Sequence, residues 1–265
     1  MKNISNKNIV ITGASSGIGR AIAIEYSKFH NNIIIASRNL QNLEQVSKIC
    51  KNNGSNCSYI ELDLNKQESI NKAVNFIKNK FEKIDILINN AGISQRSLVT
   101  NTDIDVIRKI MEINYFGTVI FTKKILNLLL KNEKSQIGVI SSISGLFGFP
   151  LRSVYASSKF ALHGFFESLY LENFKNGLNV TMIAPGRVKT NVSENALLGD
   201  GSKHGVTDEA IQKGLDPTKA AKKIIKSIAK NKKETLIGGK EILLVKIKRF
   251  FPSLFFLIVK NIKQQ

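Results

Sequence analysis

Apolar positions along this chain fall into two rhythms that alternate. Short runs such as NIVIT at 8–12, NIIIA at 32–36 and IDILI at 84–88 carry almost no polar interruption. Runs of that length, rich in β-branched residues, predict strands buried on both faces. Between them lie longer segments at 19–29, 40–52 and 67–81 in which apolar residues recur every three or four positions, as Leu43, Val46 and Ile49 do. That period predicts helices with one buried stripe. The same reading places further strands at 56–62, 136–141, 179–183 and 234–237. It places further helices at 104–130, 154–174 and 218–231. Strict alternation of strand and helix implies an α/β fold: a doubly wound, Rossmann-type parallel sheet with helices on both faces, joined by right-handed crossovers. Residues 191–216 break the rhythm. They hold Gly199, Gly201, Gly205 and Gly214 and show no period, and a loop of that length inside a compact domain usually serves function. The expected organisation is a single domain over 1–239 with a substrate loop at 191–216, followed by a basic apolar tail at 240–265.

Composition changes this picture little, and charge changes it more. With 265 residues, 43% of them hydrophobic and 22% charged, the chain can bury a full core and is not a disordered type. Its 39 Lys and Arg against 20 Asp and Glu leave +19, a balance that suits nucleic acid, an anionic membrane or an acidic partner. The excess is uneven. From residue 218 onward 13 basic residues face 2 acidic ones, a net +11, and the other 217 residues carry only +8. No recognition motif and no interleaved stacking aromatics accompany the charge, so no nucleic-acid partner is expected.

The tail reads KEILLVKIKRFFPSLFFLIVKNIK over 240–263, and its longest clean apolar stretch is 254–259. That is far short of the roughly twenty residues a membrane span needs. The expectation is a helix packed on the protein itself or lying in a membrane interface. Cys50 and Cys57, with His30, His163 and His204 far apart, show no metal-ligand spacing, and no metal site is expected. The first strand-like run begins near residue 8, so no cleavable leader is expected. A cytoplasmic protein is expected, with peripheral attachment to a membrane through the tail as the accompanying reading.

Candidate chemistry begins at the first turn. Thr12-Gly13-Ala14-Ser15-Ser16-Gly17-Ile18-Gly19 follows a predicted strand and opens a predicted helix. Glycines there let the backbone approach a pyrophosphate, and the N–H groups of the helix end favour its charge. The second strand ends in Ser37-Arg38 rather than an acidic residue. A guanidinium pairs with a 2′-phosphate through a charge-assisted fork, so the expected cofactor is NADP(H). Tyr155 and Lys159 are spaced to share one face of a helix. A phenol with its ordinary pKa near 10 is a poor base. A neighbouring ammonium lowers that value and readies the group to exchange a proton with an alcohol or carbonyl oxygen. Ser142 stands at the end of a predicted strand, with Ser141 and Ser144 as competitors. Asn114 lies inside a predicted helix, where its poor propensity invites a local distortion.

Taken in order, the glycine turn, Asn89-Asn90-Ala91-Gly92, Asn114, Ser142, the Tyr155–Lys159 pair and Pro185-Gly186-Arg187-Val188-Lys189-Thr190 resemble the short-chain dehydrogenase/reductase family over residues 8–192. ALLGDGSKHGV at 196–206 and the long tail are similar to its member-7-like branch. The resemblance implies that Gly13, Ser15, Ser16, Gly17, Ile18 and Gly19 cradle the cofactor and that Arg38 meets the ribose phosphate. It implies that Asp63 reaches the adenine edge with Leu64 beside it, and that Asn90, Ala91 and Gly92 pass under the cofactor. Pro185 and Gly186 turn the chain, and Val188 and Thr190 meet the carboxamide. It further implies a tetrad of Asn114, Ser142, Tyr155 and Lys159. In this scheme Tyr155 exchanges the proton, Ser142 orients the carbonyl, Lys159 holds the ribose and Asn114 holds a relay water.

An apolar frame of Leu197, Leu198, Val206, Ile211 and Leu215, with Phe147, Phe149 and Leu151, points to a hydrophobic ketone or aldehyde and its alcohol. A 3-oxoacyl-carrier-protein reductase is the enzymatic alternative. A catalytically silent nucleotide-binding scaffold at a membrane surface is the alternative of another class. Analogy with the family implies a homo-oligomer, dimer or tetramer, paired through the two long helices.

Overall fold

Strands form where the apolar runs lie: β1 (Asn8–Thr12), β2 (Asn32–Ser37), β3 (Asn56–Glu61), β4 (Ile86–Asn89), β5 (Ser135–Ile140), β6 (Leu178–Pro185) and β7 (Glu234–Ile237). In the computed structural model, which describes residues 4–261, they make one parallel sheet in the order β3-β2-β1-β4-β5-β6-β7. The helices are α1 (Gly17–Ser27), α2 (Leu40–Asn52), α3 (Gln67–Lys80), α4 (Ile104–Met111), α5 (Gly117–Leu130), α6 (Ser153–Asn173), α7 (Glu209–Gln212), α8 (Pro217–Ala229), α9 (Leu243–Phe250) and α10 (Pro252–Lys260).

The lack of polar alternation in the strands has a direct cause. Ile9, Ile11, Ile33, Ile35, Ile86 and Ile88 point into a layer closed by α1, α2 and α8. Val10, Ile34 and Leu87, the residues between them, point into a layer closed by α3, α5 and α6. Both sides of the sheet are covered, so both sets must be apolar.

Register is held at the edge opposite the site. Asn8, Asn32 and Asn56 open three neighbouring strands in matched positions. Asn32 Nδ2 donates to Asn8 Oδ1 at 3.1 Å, and Asn56 Nδ2 donates to Asn32 Oδ1 at 3.0 Å. A one-residue slip would break this ladder and turn each buried set to the wrong layer. Helix α8 starts where Asp216 Oδ1 accepts the N–H groups of Thr218 (2.9 Å) and Lys219 (3.0 Å), with Pro217 in the first turn.

Several expectations are redrawn. The helix over 104–130 is interrupted: α4 ends at Met111, Glu112–Phe116 form one π turn, and α5 follows. Asn114 sits in that turn with its side chain bonded outward, and Gly117 lies so close to the Leu64 carbonyl that a Cβ would collide with it. A widened turn places both contacts, as π turns at functional sites commonly do. Helix α1 starts at Gly17, two residues earlier than the apolar spacing suggests, because spacing registers only the buried stripe. Strand β6 runs on through Pro185, which pairs with Ile237, so the chain turns at Gly186. The segment 191–216 contains α7 and is tied down by bridges from Gln95 to Leu197 and from Val188 to Leu215.

Strand order places β2 and β4 on opposite sides of β1. The chain therefore leaves β1 and β4 toward different layers, opening a crevice at their carboxyl ends where ligands bind in sheets of this kind.

Candidate active site

The first βα turn lies in this crevice, and its glycines are required there. Gly13 has φ +65°, and a Cβ on it would stand 2.7 Å from Ala91 Cα. Gly17 has φ +54° and faces Thr190, and a Cβ on Gly19 would strike the Gly13 carbonyl. Ser15 is half-buried beside them. Ser16 has extended backbone, makes no side-chain cap bond, and is followed by a first turn with no acidic residue. The N–H groups at the start of α1, including those of Gly17 and Ile18, are thus left without a side-chain cap. That is what an anion such as a pyrophosphate requires.

The turn after β4 is laced to this cradle. Asn90 N and Ala91 N donate to Thr12 Oγ1 at 3.0 and 3.1 Å, and Asn90 Nδ2 donates to the carbonyls of Thr12 and Gly13. Gly92 lies where a Cβ would be 3.0 Å from Asn114 Oδ1 and 3.4 Å from Lys159 Nζ.

The remaining sequence-predicted residues occupy the rim. Arg38 is exposed at the end of β2 and forms no ion pair among the described residues. Asp63 Oδ1 accepts the Asn65 N–H at 3.0 Å, which shapes the loop after β3, and Leu64 beside it is buried against α5. Gly186 passes against the Glu241 carboxylate. Val188 is buried in the core, and Thr190 packs over Gly17. Glycine cradle and rim together suit a dinucleotide.

Tyr155, Lys159, Ser142 and Asn114 converge beside the cradle. Of the three competing serines, Ser142 is the one whose hydroxyl lies near enough to Tyr155 to pull its phenol pKa down, and its Oγ donates to the Pro185 carbonyl at 3.4 Å. It also accepts the Ser144 N–H at 3.1 Å. The Ser141 hydroxyl is turned away, between the Lys159 carbonyl and His163 Nε2 at 3.1 Å. Lys159 is 4% exposed and donates to the Ile140 carbonyl at 2.9 Å, with its Nζ 5.8 Å from the Tyr155 ring centre. Asn114 Nδ2 donates to Ile93 O and Ser158 Oγ, both at 2.9 Å, and its Oδ1 accepts the Ile93 N–H at 2.8 Å.

The electrostatics differ from the sequence expectation. Burial pushes the Tyr155 phenol up, against smaller downward pulls from the Ser142 hydroxyl and the Arg152 charge. Burial likewise pushes the Lys159 ammonium down to about 8. The amino group is directed at a backbone carbonyl rather than at the phenol, and desolvation outweighs the opposite charge the spacing suggests. Burial thus favours the neutral, protonated phenol of Tyr155.

Four residues outside the predicted set, Gln95, Arg96, Arg152 and Asp208, surround the site. Gln95 is fully buried, and its Oε1 accepts the N–H groups of Val154 (2.8 Å) and Tyr155 (3.3 Å), so it caps the helix that carries the phenol. Its Nε2 donates to Ser97 and Thr102, which fixes its orientation. Asp208, from the 191–216 segment, bridges two guanidinia: Arg96 Nη1 at 2.6 Å and Arg152 Nη2 at 3.2 Å. Ser193 donates to Asp208 Oδ2 at 2.8 Å, and His204 Nε2 lies 3.9 Å from Oδ1. Arg152 Nη1 also donates to Ser94 Oγ and Gln95 O. This latch fastens the segment over the start of α6. Only Gln-Arg at 95–96 after the Asn-Asn-Ala-Gly turn could have hinted at it.

The apolar frame is rearranged as well: Leu197 packs on α4 and α6, Leu215 on the main core, and Phe147 against the tail. Among the described residues no cluster of metal-ligating side chains occurs. Replacing Gln95 by Leu should leave two buried N–H groups unpaired at a cost of about 1–3 kcal/mol. Urea unfolding reads this directly, and an unchanged unfolding free energy would remove the cap from the account.

Comparison with known proteins agrees with this fold. The family model described as short chain dehydrogenase matches residues 7–199. Dehydrogenase/reductase SDR family member 7B of Xenopus tropicalis is 36% identical over 255 residues, covering 94% of this chain and 82% of the relative. A Drosophila melanogaster protein named dehydrogenase/reductase SDR family protein 7-like is also 36% identical, over 97% of this chain and 80% of its own length. Among solved structures, a short chain dehydrogenase/reductase from Burkholderia phymatum in complex with NAD superposes with a TM-score of 0.84 at 20% identity, covering 96% of each chain. An alcohol dehydrogenase from Thermococcus sibiricus complexed with 5-hydroxy-NADP gives 0.76 at 24% identity, over 89% of this chain and 97% of that one. The chain belongs to the short-chain dehydrogenase/reductase family and has the oxidoreductase fold of that family.

Proposed function

We propose that this protein is an NADP(H)-dependent oxidoreductase that interconverts a hydrophobic ketone or aldehyde and its alcohol. The observation that carries the reading is the phenol of Tyr155 lying near the Ser142 hydroxyl, with buried Lys159 one turn along the same helix and the glycine cradle beside them. When bound, a nicotinamide dinucleotide supplies the hydride. Gly13, Ser15, Ser16, Gly17, Ile18 and Gly19 would hold its phosphates. Arg38, Asp63 and Leu64 would hold its adenosine end, and Asn90, Ala91, Gly92, Pro185, Gly186, Val188 and Thr190 the nicotinamide side.

The chain's own residues do the proton work. Ser142 fixes the substrate oxygen by a hydrogen bond, and Tyr155, protonated at neutral pH, delivers its proton to that oxygen. Lys159 holds a positive charge beside the phenol as it becomes phenolate. Asn114, clamped to Ile93 and Ser158, keeps the π turn open at the Lys159 end. The segment that follows Ser142 is apolar, with Ile143 and Phe149 only partly buried. The guanidinia of Arg96 and Arg152 are already engaged by Asp208 and backbone, which favours an apolar substrate over an anionic one. A homo-oligomer would use the outer faces around the π turn and α6, where Phe116, Phe160 and Leu171 are exposed.

An NADPH-consumption assay over ketosteroids, retinoids, aliphatic ketones and an acetoacetyl thioester tests the substrate class, and preference for the thioester would favour the carrier-protein reductase reading. For the cofactor, kcat/KM with NADPH should exceed that with NADH. Arg38→Asp should lower that ratio by about tenfold or more, because a carboxylate repels the phosphate and bonds ribose hydroxyls instead. A parent ratio below one would overturn the NADP(H) assignment.

A further inference from the structure

The tail begins at a fixed point: Glu241 Oε1 accepts the N–H groups of Arg187 at 2.8 Å and Gly239 at 3.0 Å, which pins the chain beside the end of β6. Helices α9 and α10 then fold back on the protein. Phe255 and Val259 are buried against Phe147, with ring centres of Phe147 and Phe255 5.0 Å apart, and Ile143, the neighbour of Ser142, joins the same cluster. This inner face uses only part of the tail's apolar surface. Leu243, Phe250, Phe251, Leu254, Phe256 and Leu257 remain exposed, from 46% at Leu254 to 67% at Phe250. Six large apolar side chains within fifteen residues form a patch of the kind that marks an interaction site.

The charge around the patch identifies its partner. From Ile242 to the end of the chain there is no acidic residue, while Lys246, Lys248, Arg249, Lys260 and Lys263 are basic. Lys246, Arg249 and Lys260 are exposed at its border. Lys248 lies over the Phe256 ring at 4.2 Å. Exposed aromatic and aliphatic side chains whose charged neighbours along the tail from Ile242 onward are all cations match the interface of a bilayer containing anionic lipid. A second copy of the same face would set cation against cation in a two-fold contact. Among the described residues no helix is long and apolar enough to cross a membrane, so the fitting geometry is a helix pair lying in the headgroup region.

We propose that α9 and α10 dock this protein on an anionic lipid surface through Phe250, Phe251, Leu254, Phe256 and Leu257, with the flanking lysines and arginine on lipid headgroups. The inference concerns binding alone and holds whether or not the oxidoreductase reading does. The test is flotation of the full chain with vesicles of phosphatidylcholine alone and of equimolar phosphatidylcholine and phosphatidylglycerol, alongside the Phe250→Ser/Leu257→Ser and Lys246→Glu/Arg249→Glu variants. The parent should float with the mixed vesicles and far less with the neutral ones. Each double variant should bind the mixed vesicles about tenfold more weakly or worse, with an unchanged melting temperature because the altered side chains are exposed. Three results would each overturn the proposal. The first is no flotation with the mixed vesicles. The second is flotation that the Phe250→Ser/Leu257→Ser variant retains, which is adhesion of a basic protein without insertion. The third is a self-association by sedimentation that this variant abolishes while the parent ignores vesicles, which makes the face a protein interface.

Discussion

Tyr155→Phe should lose between about a hundredfold and ten-thousandfold in kcat while binding NADPH as tightly as the parent. That range is the usual worth of a positioned general acid. The substitution removes one oxygen and nothing else. The ring keeps its place on α6, whose start is capped by Gln95, and the glycine cradle lies on other elements. What disappears is the proton donor and the hydroxyl that lies near Ser142. Fluorescence titration with NADPH and steady-state turnover, measured on one preparation, separate the two effects. Turnover within threefold or so of the parent would refute the role of Tyr155.

The pH profile gives an independent check. Because burial pushes the phenol up, the donor stays protonated through neutral pH, and the rate of carbonyl reduction should be level there and fall on the alkaline side. Lys159, pushed down to about 8, loses its charge before the phenol ionises, so the fall should begin with a first step there.

Asp208→Ala should be the most damaging change outside the proposed tetrad. The side chains of Arg96 and Arg152 are 12% and 16% exposed and share this one carboxylate. Removing it leaves two largely buried guanidinia facing each other. Breaking a fully buried pair costs about 3–5 kcal/mol, and the residual solvent contact here brings the expectation to about 2–3 kcal/mol. For a chain of this size that lowers the melting temperature by roughly 4–10 °C.

The effect on function should be larger than the effect on stability. Segment 191–216 loses its fastening to α6, so KM for the carbonyl substrate should rise. Arg152, freed from its place beside Tyr155, no longer lowers the phenol pKa, so the alkaline fall in rate should move to higher pH. Asp208→Asn keeps the shape and an acceptor for Ser193, and should show the loss of charge with less disorder of the segment. Thermal unfolding together with kcat and KM for both variants reads this out. An unchanged melting temperature and KM in Asp208→Ala would dismiss the latch.

These two sites differ in how far the chain alone reveals them. Tyr155 and Lys159 are four residues apart on one helix, and the glycines of the first turn lie within seven residues, so their geometry is set by local backbone periodicity. The order of strands and helices is legible for the same reason: buried runs and buried stripes are short-range patterns that hydrophobic burial imposes on any two-layered sheet. The latch is different. Arg96 and Asp208 are 112 residues apart, and Arg152 and Asp208 are 56 apart. Polar residues in loops follow no period, so nothing near any one of them announces the others. The π turn at Glu112–Phe116 is invisible to a helical period, because it results from Asn114 bonding to a loop 21 residues earlier. Phe147, which reads as part of a substrate pocket, is turned to Phe255 by a tail more than a hundred residues away.

By itself, then, the sequence of this protein determines the α/β alternation, the glycine turn and the placing of Tyr155 and Lys159 one turn apart on a helix, since all of these rest on contacts between near neighbours. The tertiary structure alone decides the ionisation of Tyr155 and Lys159, which of three serines lies near the phenol, what holds the 191–216 segment down, and which face of the tail remains for a partner. Each of these depends on how much water is excluded and which distant groups meet, and neither quantity exists until the chain has folded.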